Sequence, residues 1–251
     1  MGKTRIILSG CNGHMGHVVR DIISERDDCE IVAGVDISEA KAEFPVFTDI
    51  TACDVAADAL IDFSAPQALD SILPYITSKG IGAVLCATGY SKEQLEAIET
   101  ASKKTAILRS ANMSLGINTL AKLAKAAAKV LADEGYDIEI VERHHNRKLD
   151  APSGTALLLA DAINSEMGQK YEYVYDRSTR REKRPKNEIG ISAVRGGSIV
   201  GDHEIIFAGL DEVIEIKHSA YSRAVFAKGA VTAALYLAGK PAGMYSMSDV
   251  I

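Results

Sequence analysis

His144, His145 and Lys148 fall within five positions of one another, with Arg143 and Arg147 between and beside them. Such a concentration suits proton delivery to a small anion: an imidazole or ammonium group gives the proton while its cationic neighbours attract the charge. Just beyond, Pro152-Ser153-Gly154-Thr155 leads into Ala156-Leu157-Leu158-Leu159-Ala160, with Ile163 and Met167 continuing at helical spacing. A helix is therefore expected from about Ser153. Its first amides have no partners inside the helix and carry the positive end of its dipole, so a start containing Gly154 makes a seat for a carboxylate.

A second constellation lies near the amino terminus. The apolar run 4–9 is followed at once by Gly10-Cys11-Asn12-Gly13-His14-Met15-Gly16, then by Val18, Val19, Ile22 and Ile23 at helical spacing. Strand, glycine turn and helix in that order form a dinucleotide cradle, in which the glycines permit a tight turn and close approach to a pyrophosphate. A second strand over 30–35 ends in Asp36, twenty residues beyond Gly16, where a carboxylate meets the ribose hydroxyls. Asp36 repels a 2′-phosphate and Ile37 offers no charge to one, so NADH is favoured over NADPH, with Lys41 as the nearest compensating cation.

The elements that position these residues follow a strand–helix rhythm. Strands are expected over 58–63, 81–86 and 106–108, separated by helices that begin at Ser64-Ala65-Pro66 and at Ser91, where Gln94 completes a capping box. In parallel sheets ligands lie at the carboxyl ends of strands. Phe63-Ser64, Ala87-Thr88-Gly89 and Ser110-Ala111-Asn112 should accordingly line the same crevice as the glycine turn. A long helix over 115–131 follows, and then a strand over 136–141 that carries the histidines out on an exposing loop. After the helix at Ser153 come strand-like runs at 188–195, 198–207 and 213–218, and a last helix over 223–237 that returns to the first domain. The Arg- and Lys-rich stretch 171–187 reads as a solvated loop. The expected fold is α/β: a Rossmann-type doubly wound parallel sheet (1–113, completed by 223–251) as the dinucleotide-binding domain. The expected second part, 114–222, is a smaller α+β domain with an open mixed sheet for substrate binding and oligomerisation.

The 251 residues are 47% apolar, enough for sizeable cores, and the net charge of −6 argues against nucleic acid as a partner. No apolar run approaches membrane-spanning length, and the start Met1-Gly2-Lys3-Thr4-Arg5 does not read as a signal peptide. Cys11, Cys29, Cys53 and Cys86 show neither metal-ligand spacing nor a disulfide pattern, so no metal is expected and the thiols fit a cytoplasmic protein.

With the glycine turn, the run Glu142-Arg143-His144-His145-Asn146-Arg147-Lys148-Leu149-Asp150-Ala151-Pro152-Ser153-Gly154-Thr155-Ala156, and Arg195-Gly196-Gly197 through Gly201-Asp202-His203 in order, the sequence resembles the 4-hydroxy-tetrahydrodipicolinate (dihydrodipicolinate) reductase family over essentially its whole length. The resemblance implies a cytoplasmic homotetramer in the diaminopimelate route to lysine, reducing a cyclic dicarboxylate with NADH or NADPH. It implies proton-donor roles for His144 and Lys148, and substrate contacts from His145, Gly154 and Thr155. It also implies a cofactor lying along Gly10, Cys11, Asn12, Gly13, His14 and Met15, then Asp36, then Cys86, Ala87 and Thr88, then Ser110, Ala111, Asn112 and Met113. The sequence departs from the family's commoner pattern at Ile37, where a basic residue is frequent, and at Cys86-Ala87-Thr88 in place of Gly-Thr-Thr. Two other readings are compatible with the residues themselves: another two-domain reductase of a small carboxylate, separated by assays on several substrates, and a non-catalytic nucleotide sensor, excluded by substrate-dependent oxidation of NADH.

Overall fold

The computed structural model describes residues 2–38 and 41–251. The chain divides into two compact units, Met1–Leu115 with Ala224–Ile251, and Gly116–Arg223.

In the first unit the strands are β1 (Thr4–Ser9), β2 (Cys29–Val35), β3 (Val46–Phe47), β4 (Ala59–Asp62), β5 (Gly82–Leu85), β6 (Ala106–Arg109) and, late in the chain, β12 (Gly243–Tyr245). They form one parallel sheet in the order β12-β6-β5-β4-β1-β2-β3. Alternation along the strands divides their side chains between two cores. Ile6, Leu8, Ile61 and Val84 face α1 (His14–Ser24) and α6 (Ala224–Leu237), while Ile7, Leu60, Ala83 and Leu85 face α2 (Leu69–Lys79) and α3 (Lys92–Ser102). A doubly wound sheet results, with its connecting loops gathered at the carboxyl edge.

The second unit contains β7 (Asp137–His144), β8 (Glu172–Val174), β9 (Glu188–Arg195), β10 (Gly201–Ala208) and β11 (Val213–Ala220), in the order β11-β10-β7-β9-β8. β7, β8 and β9 run parallel, whereas β10 is antiparallel to β7 and β11, so the sheet is mixed. One face carries Ile138, Ile140, Ile189, Ile191, Ile205 and Phe207, packed against α4 (Leu115–Leu131) and α5 (Gly154–Glu166).

Several elements differ from expectation. β7 runs on through His144, so that histidine belongs to the sheet and is 8% exposed; only His145 opens the loop. The helix expected at Pro66 begins as a short 3-10 turn before α2. β10 starts at Gly201 because 198–200 follow the Gly196-Gly197 turn without pairing. The basic stretch 171–187 is solvated in part, with Arg181, Lys183 and Lys186 exposed, but it also holds the short strand β8 and three of its arginines are tied down by ion pairs. Glu188, 3% exposed, meets both Arg177 and Arg180, and Arg184 reaches Asp137 at 2.7 Å and Glu139 at 3.0 Å.

α6 lies against the chain at Met113 through Gly229, where a Cβ would stand 1.7 Å from the Met113 carbonyl oxygen. Gly→Ala in an open helix gains up to ~1 kcal/mol. Here the sign should reverse: Gly229→Ala is expected to cost about 1–3 kcal/mol by overpacking, read as a lower urea midpoint, and an unchanged midpoint would contradict this packing.

Candidate active site

The glycine turn occupies the carboxyl end of β1. Gly10 takes a left-handed conformation (φ +76°) and its N–H donates to the Val35 carbonyl at 2.8 Å. A Cβ on Gly16 would lie 2.1 Å from the Gly10 carbonyl oxygen, so the turn closes this tightly only with glycine there. α1 begins at His14 with Gly13 as its N-cap and no side chain capping it, which leaves its first amides for a ligand. Asp36, at the end of β2, accepts the Asn12 N–H at 2.9 Å and both the N–H and Oγ of Ser38 at 3.1 Å. It therefore ties the turn to β2 as well as standing where a ribose is met. Ile37 is 97% exposed and brings no charge.

These residues fit a dinucleotide. The turn has glycine at positions 10, 13 and 16, no side chain caps the start of α1, and the buried Asn12 Oδ1 has no hydrogen-bond partner among the described residues. The loops after β4, β5 and β6 leave the same sheet edge. Asp62, 1% exposed, accepts the Ser64 N–H at 3.0 Å and shapes the first of these loops, although burial pushes its carboxyl up from the ordinary value. Ala87, Thr88, Ser110 and Ala111 are partly or fully exposed along this edge. Asn112 is buried and caps the Ser114 N–H at 2.8 Å. The side chains of Cys11 and Met113 lie in the apolar core, so what those two positions present to a ligand is main chain.

In the second unit, the face of β7 that carries Ile138 and Ile140 continues with Glu142 and then His144. The apolar core turns polar in the last two rows of the sheet. The Glu142 carboxylate has no exposed surface, yet it accepts four hydrogen-bonding groups. Arg195 at the end of β9 binds it through both terminal nitrogens, at 2.7 and 2.6 Å, the Ser153 N–H at 3.0 Å, and His144 Nδ1 lies 2.6 Å away. Burial alone would raise its pKa, but Arg195, His144 and Ser153 outweigh that and hold it below the usual range. Arg195 also donates to the Asp150 carbonyl at 2.7 Å, fastening the loop 145–153 to the sheet. Beside this group, His203 of β10 stands edge-on to His144 with ring centroids 5.1 Å apart and pairs with Ser153 Oγ at 2.9 Å. Ser153 caps α5 through the Ala156 N–H at 3.1 Å.

His145 is half-buried with Nδ1 unpartnered; burial first, and then the charges of Arg147, His144, Arg223 and Lys148, lower its pKa. Lys148 Nζ is paired with Asp150 at 2.9 Å, and that pairing chiefly holds the Asp150 carboxyl low. Gly154 is exposed at the first turn of α5 and Thr155 is partly so. Five of the expected residues, His144, His145, Lys148, Gly154 and Thr155, thus come together around the start of α5. Arg143 does not join them: it points to the other face of β7 and pairs with Glu204 at 2.8 Å. The sequence reading passed over Glu142, Arg195, Ser153 and His203 as functional side chains. Among the described residues no group of three or more His, Cys, Asp or Glu is arranged to hold a metal ion.

Comparison with known proteins bears on both units. Residues 4–113 match the family model for "Dihydrodipicolinate reductase, N-terminus" and residues 116–251 that for "Dihydrodipicolinate reductase, C-terminus". The chain is 54% identical to the 4-hydroxy-tetrahydrodipicolinate reductase of Clostridium tetani, covering 98% of this chain and 96% of that one. It is 53% identical to the enzyme of the same name from Caldanaerobacter subterraneus subsp. tengcongensis, covering 98% of both. Among solved structures, a dipicolinate-bound dihydrodipicolinate reductase from Paenisporosarcina sp. TG-14 has the same fold, with a TM-score of 0.84 at 22% identity over 99% of this chain and 100% of that one.

The buried histidine beside this cluster has a measurable consequence. Burial, and next the neighbouring His144, push the His203 pKa down to about 4, whereas in the unfolded chain it titrates near ~6.5. A histidine kept neutral by folding leaves stability intact above ~6.5 and removes it as pH falls toward the folded value, because the unfolded state then binds the extra proton. Between pH 7 and pH 5 this residue should account for about 2 kcal/mol of lost unfolding free energy. Urea titrations of the parent and of His203→Asn at both pH values test this; equal pH slopes in the two proteins would contradict it.

Proposed function

This chain belongs to the dihydrodipicolinate reductase family, and from that premise we propose its reaction and the residues that perform it. It reduces 4-hydroxy-tetrahydrodipicolinate to tetrahydrodipicolinate with NAD(P)H, a step of the diaminopimelate route to lysine. The observation that carries this reading is likeness over nearly the full length of the reductases it matches, together with a proton-donor and anion-binding cluster whose chemistry suits that substrate.

A reduced nicotinamide dinucleotide, when bound, supplies the hydride. The residues to hold it are Gly10 to Met15, Asp36, Cys86 to Thr88 and Ser110 to Met113. The first unit thus serves as the dinucleotide-binding domain and the second as the substrate-binding domain. NADH is the favoured donor, since Asp36 sets a negative charge where a 2′-phosphate would lie and the exposed Ile37 supplies no cation.

The 4-hydroxyl of the substrate leaves as water, giving the more unsaturated ring; once hydride has been added to one carbon of that ring, the neighbouring carbon becomes basic and takes a proton from the protein. His144 and Lys148 are the available acids, and the geometry favours His144, which is fixed by the sheet, whereas Lys148 stands on the loop and is paired with Asp150. Lys148, His145 and the start of α5 at Gly154 and Thr155 hold the two substrate carboxylates. Assembly as a homotetramer through the second unit is supported by its free edge strand, β11, where Val213 is 55% and Ile214 39% exposed. The cytoplasm is the compartment where this small-molecule chemistry and the free thiols Cys11, Cys29, Cys53 and Cys86 belong.

Initial rates on substrate generated from pyruvate and aspartate semialdehyde, with NADH and NADPH in turn, test the function directly; no substrate-dependent oxidation of either would refute it. In that assay His144→Ala should lower kcat by about 100-fold with KM little changed, as expected for loss of a general acid. Thr155→Val should instead raise KM for the dicarboxylate. Ile37→Arg should shift kcat/KM toward NADPH by about tenfold relative to NADH, the order of one charge-assisted contact; an unmoved ratio would show that this position does not read the 2′-phosphate.

A further inference from the structure

A histidine that serves as an acid must present a chosen nitrogen to the substrate, and the sheet decides which one. Nδ1 of His144 is committed: it lies 2.6 Å from Glu142 Oε2, the carboxylate oxygen that Arg195 also binds at 2.7 Å. Nε2 faces Gly201, where even a Cβ would come within 3.1 Å of it. Glycine at the first position of β10 therefore keeps that side of the ring clear. Glu142 is held ionised and immobile in turn by the bidentate Arg195 and by the amide of Ser153.

We propose that Glu142 is a positioning residue for the reduction: by accepting a hydrogen bond from Nδ1–H of His144 it sets the ring's orientation and its neutral tautomer, so that Nε2 takes up a proton from solvent and, in the imidazolium, Nε2–H is the acid, with Arg195 holding the carboxylate in place. The inference rests on the reading of His144 as the proton donor. In the step itself the Nε2–H bond breaks, its electron pair stays on Nε2, and the proton forms the new C–H bond of the substrate. Nδ1–H remains with Glu142, which stays a carboxylate throughout and steadies the imidazolium before the transfer. A carboxylate that orients a catalytic histidine in this way has a known cost of removal, since its amide isostere admits the wrong tautomer.

Kinetics on Glu142→Gln, His144→Asn and the double variant test the proposal. Glu142→Gln is expected to lower kcat at least ~tenfold with KM for the substrate within about threefold, the pattern of an interaction expressed in the transition state. In the His144→Asn background the same change should cost no more than about twofold, because two residues that act as a unit are not additive. Wild-type kcat in Glu142→Gln, or an undiminished effect in the His144→Asn background, overturns the proposal while leaving His144 as the donor. Wild-type kcat in His144→Asn removes the donor and the proposal with it.

A measurement on the unaltered protein guards against a variant that fails to fold. Imidazole ¹⁵N shifts, assigned by difference against His144→Asn, should show neutral His144 as the Nδ1–H form. The Nε2–H form would overturn the proposal whatever the kinetics.

Discussion

An ionised carboxylate with no access to water is tolerated only where donors replace its hydration, since stripping that hydration costs several kcal/mol. Glu142 meets this condition with donors from three separate places: Arg195 from the neighbouring strand, the Ser153 amide from the first residue before α5, and His144 two positions along its own strand. The constraint therefore fixes more than one side chain. It holds β9 in register with β7, since His144 pairs with Arg195 across the two strands. It also fixes where α5 begins, because the amide that Glu142 takes belongs to the helix N-cap.

The loop between β7 and α5 inherits this order. Its two ends are attached to one buried charge, and its middle is fastened by the bond from Arg195 to the Asp150 carbonyl. The one carboxylate of this loop, Asp150, pairs with Lys148, while Arg147 stays exposed. Functional groups placed on such a frame are held more closely than groups on an unattached loop. The glycine turn of the first unit uses a comparable device with weaker means, Asp36 joining the turn to the end of β2.

How much of this could be read beforehand depended on how local the cause was. The glycine turn, the bounds of α4 and β9, the capping box at Ser91 and the start of α5 all follow from residues a few positions apart, and they stand where periodicity and capping put them. The family likeness was legible because its longest motif is contiguous. Glu142 was missed because its principal partner, Arg195, is 53 residues distant, and nothing local distinguishes a buried acid from a solvated one. The basic stretch before β9 was read only in part for the same reason: Asp137, Glu139 and Glu188, which pair with Arg177, Arg180 and Arg184, are brought to it by strand pairing. One usable signal was present. In the alternation of β7, Glu142 and His144 occupy the same phase as Ile138 and Ile140, the face that a half-buried strand turns inward.

That phase also separates the two candidate acids. A residue on the inward face at the end of a central strand is held by neighbours on both sides: His144 has Glu142 along its strand, Gly201 opposite on β10 and His203 edge-on. A proton donor gains from this, because transfer demands a short, aligned approach to one carbon. Lys148 has a flexible stem, a position on the loop and an exposed carboxylate partner, features that suit a mobile charge better than a directed acid. An arriving dicarboxylate competes with Asp150 for that charge, whereas nothing in its binding requires His144 to leave Glu142. The proposed division of labour follows from location: the sheet would supply the direction of the proton, and the loop with the start of α5 the attraction for the anion.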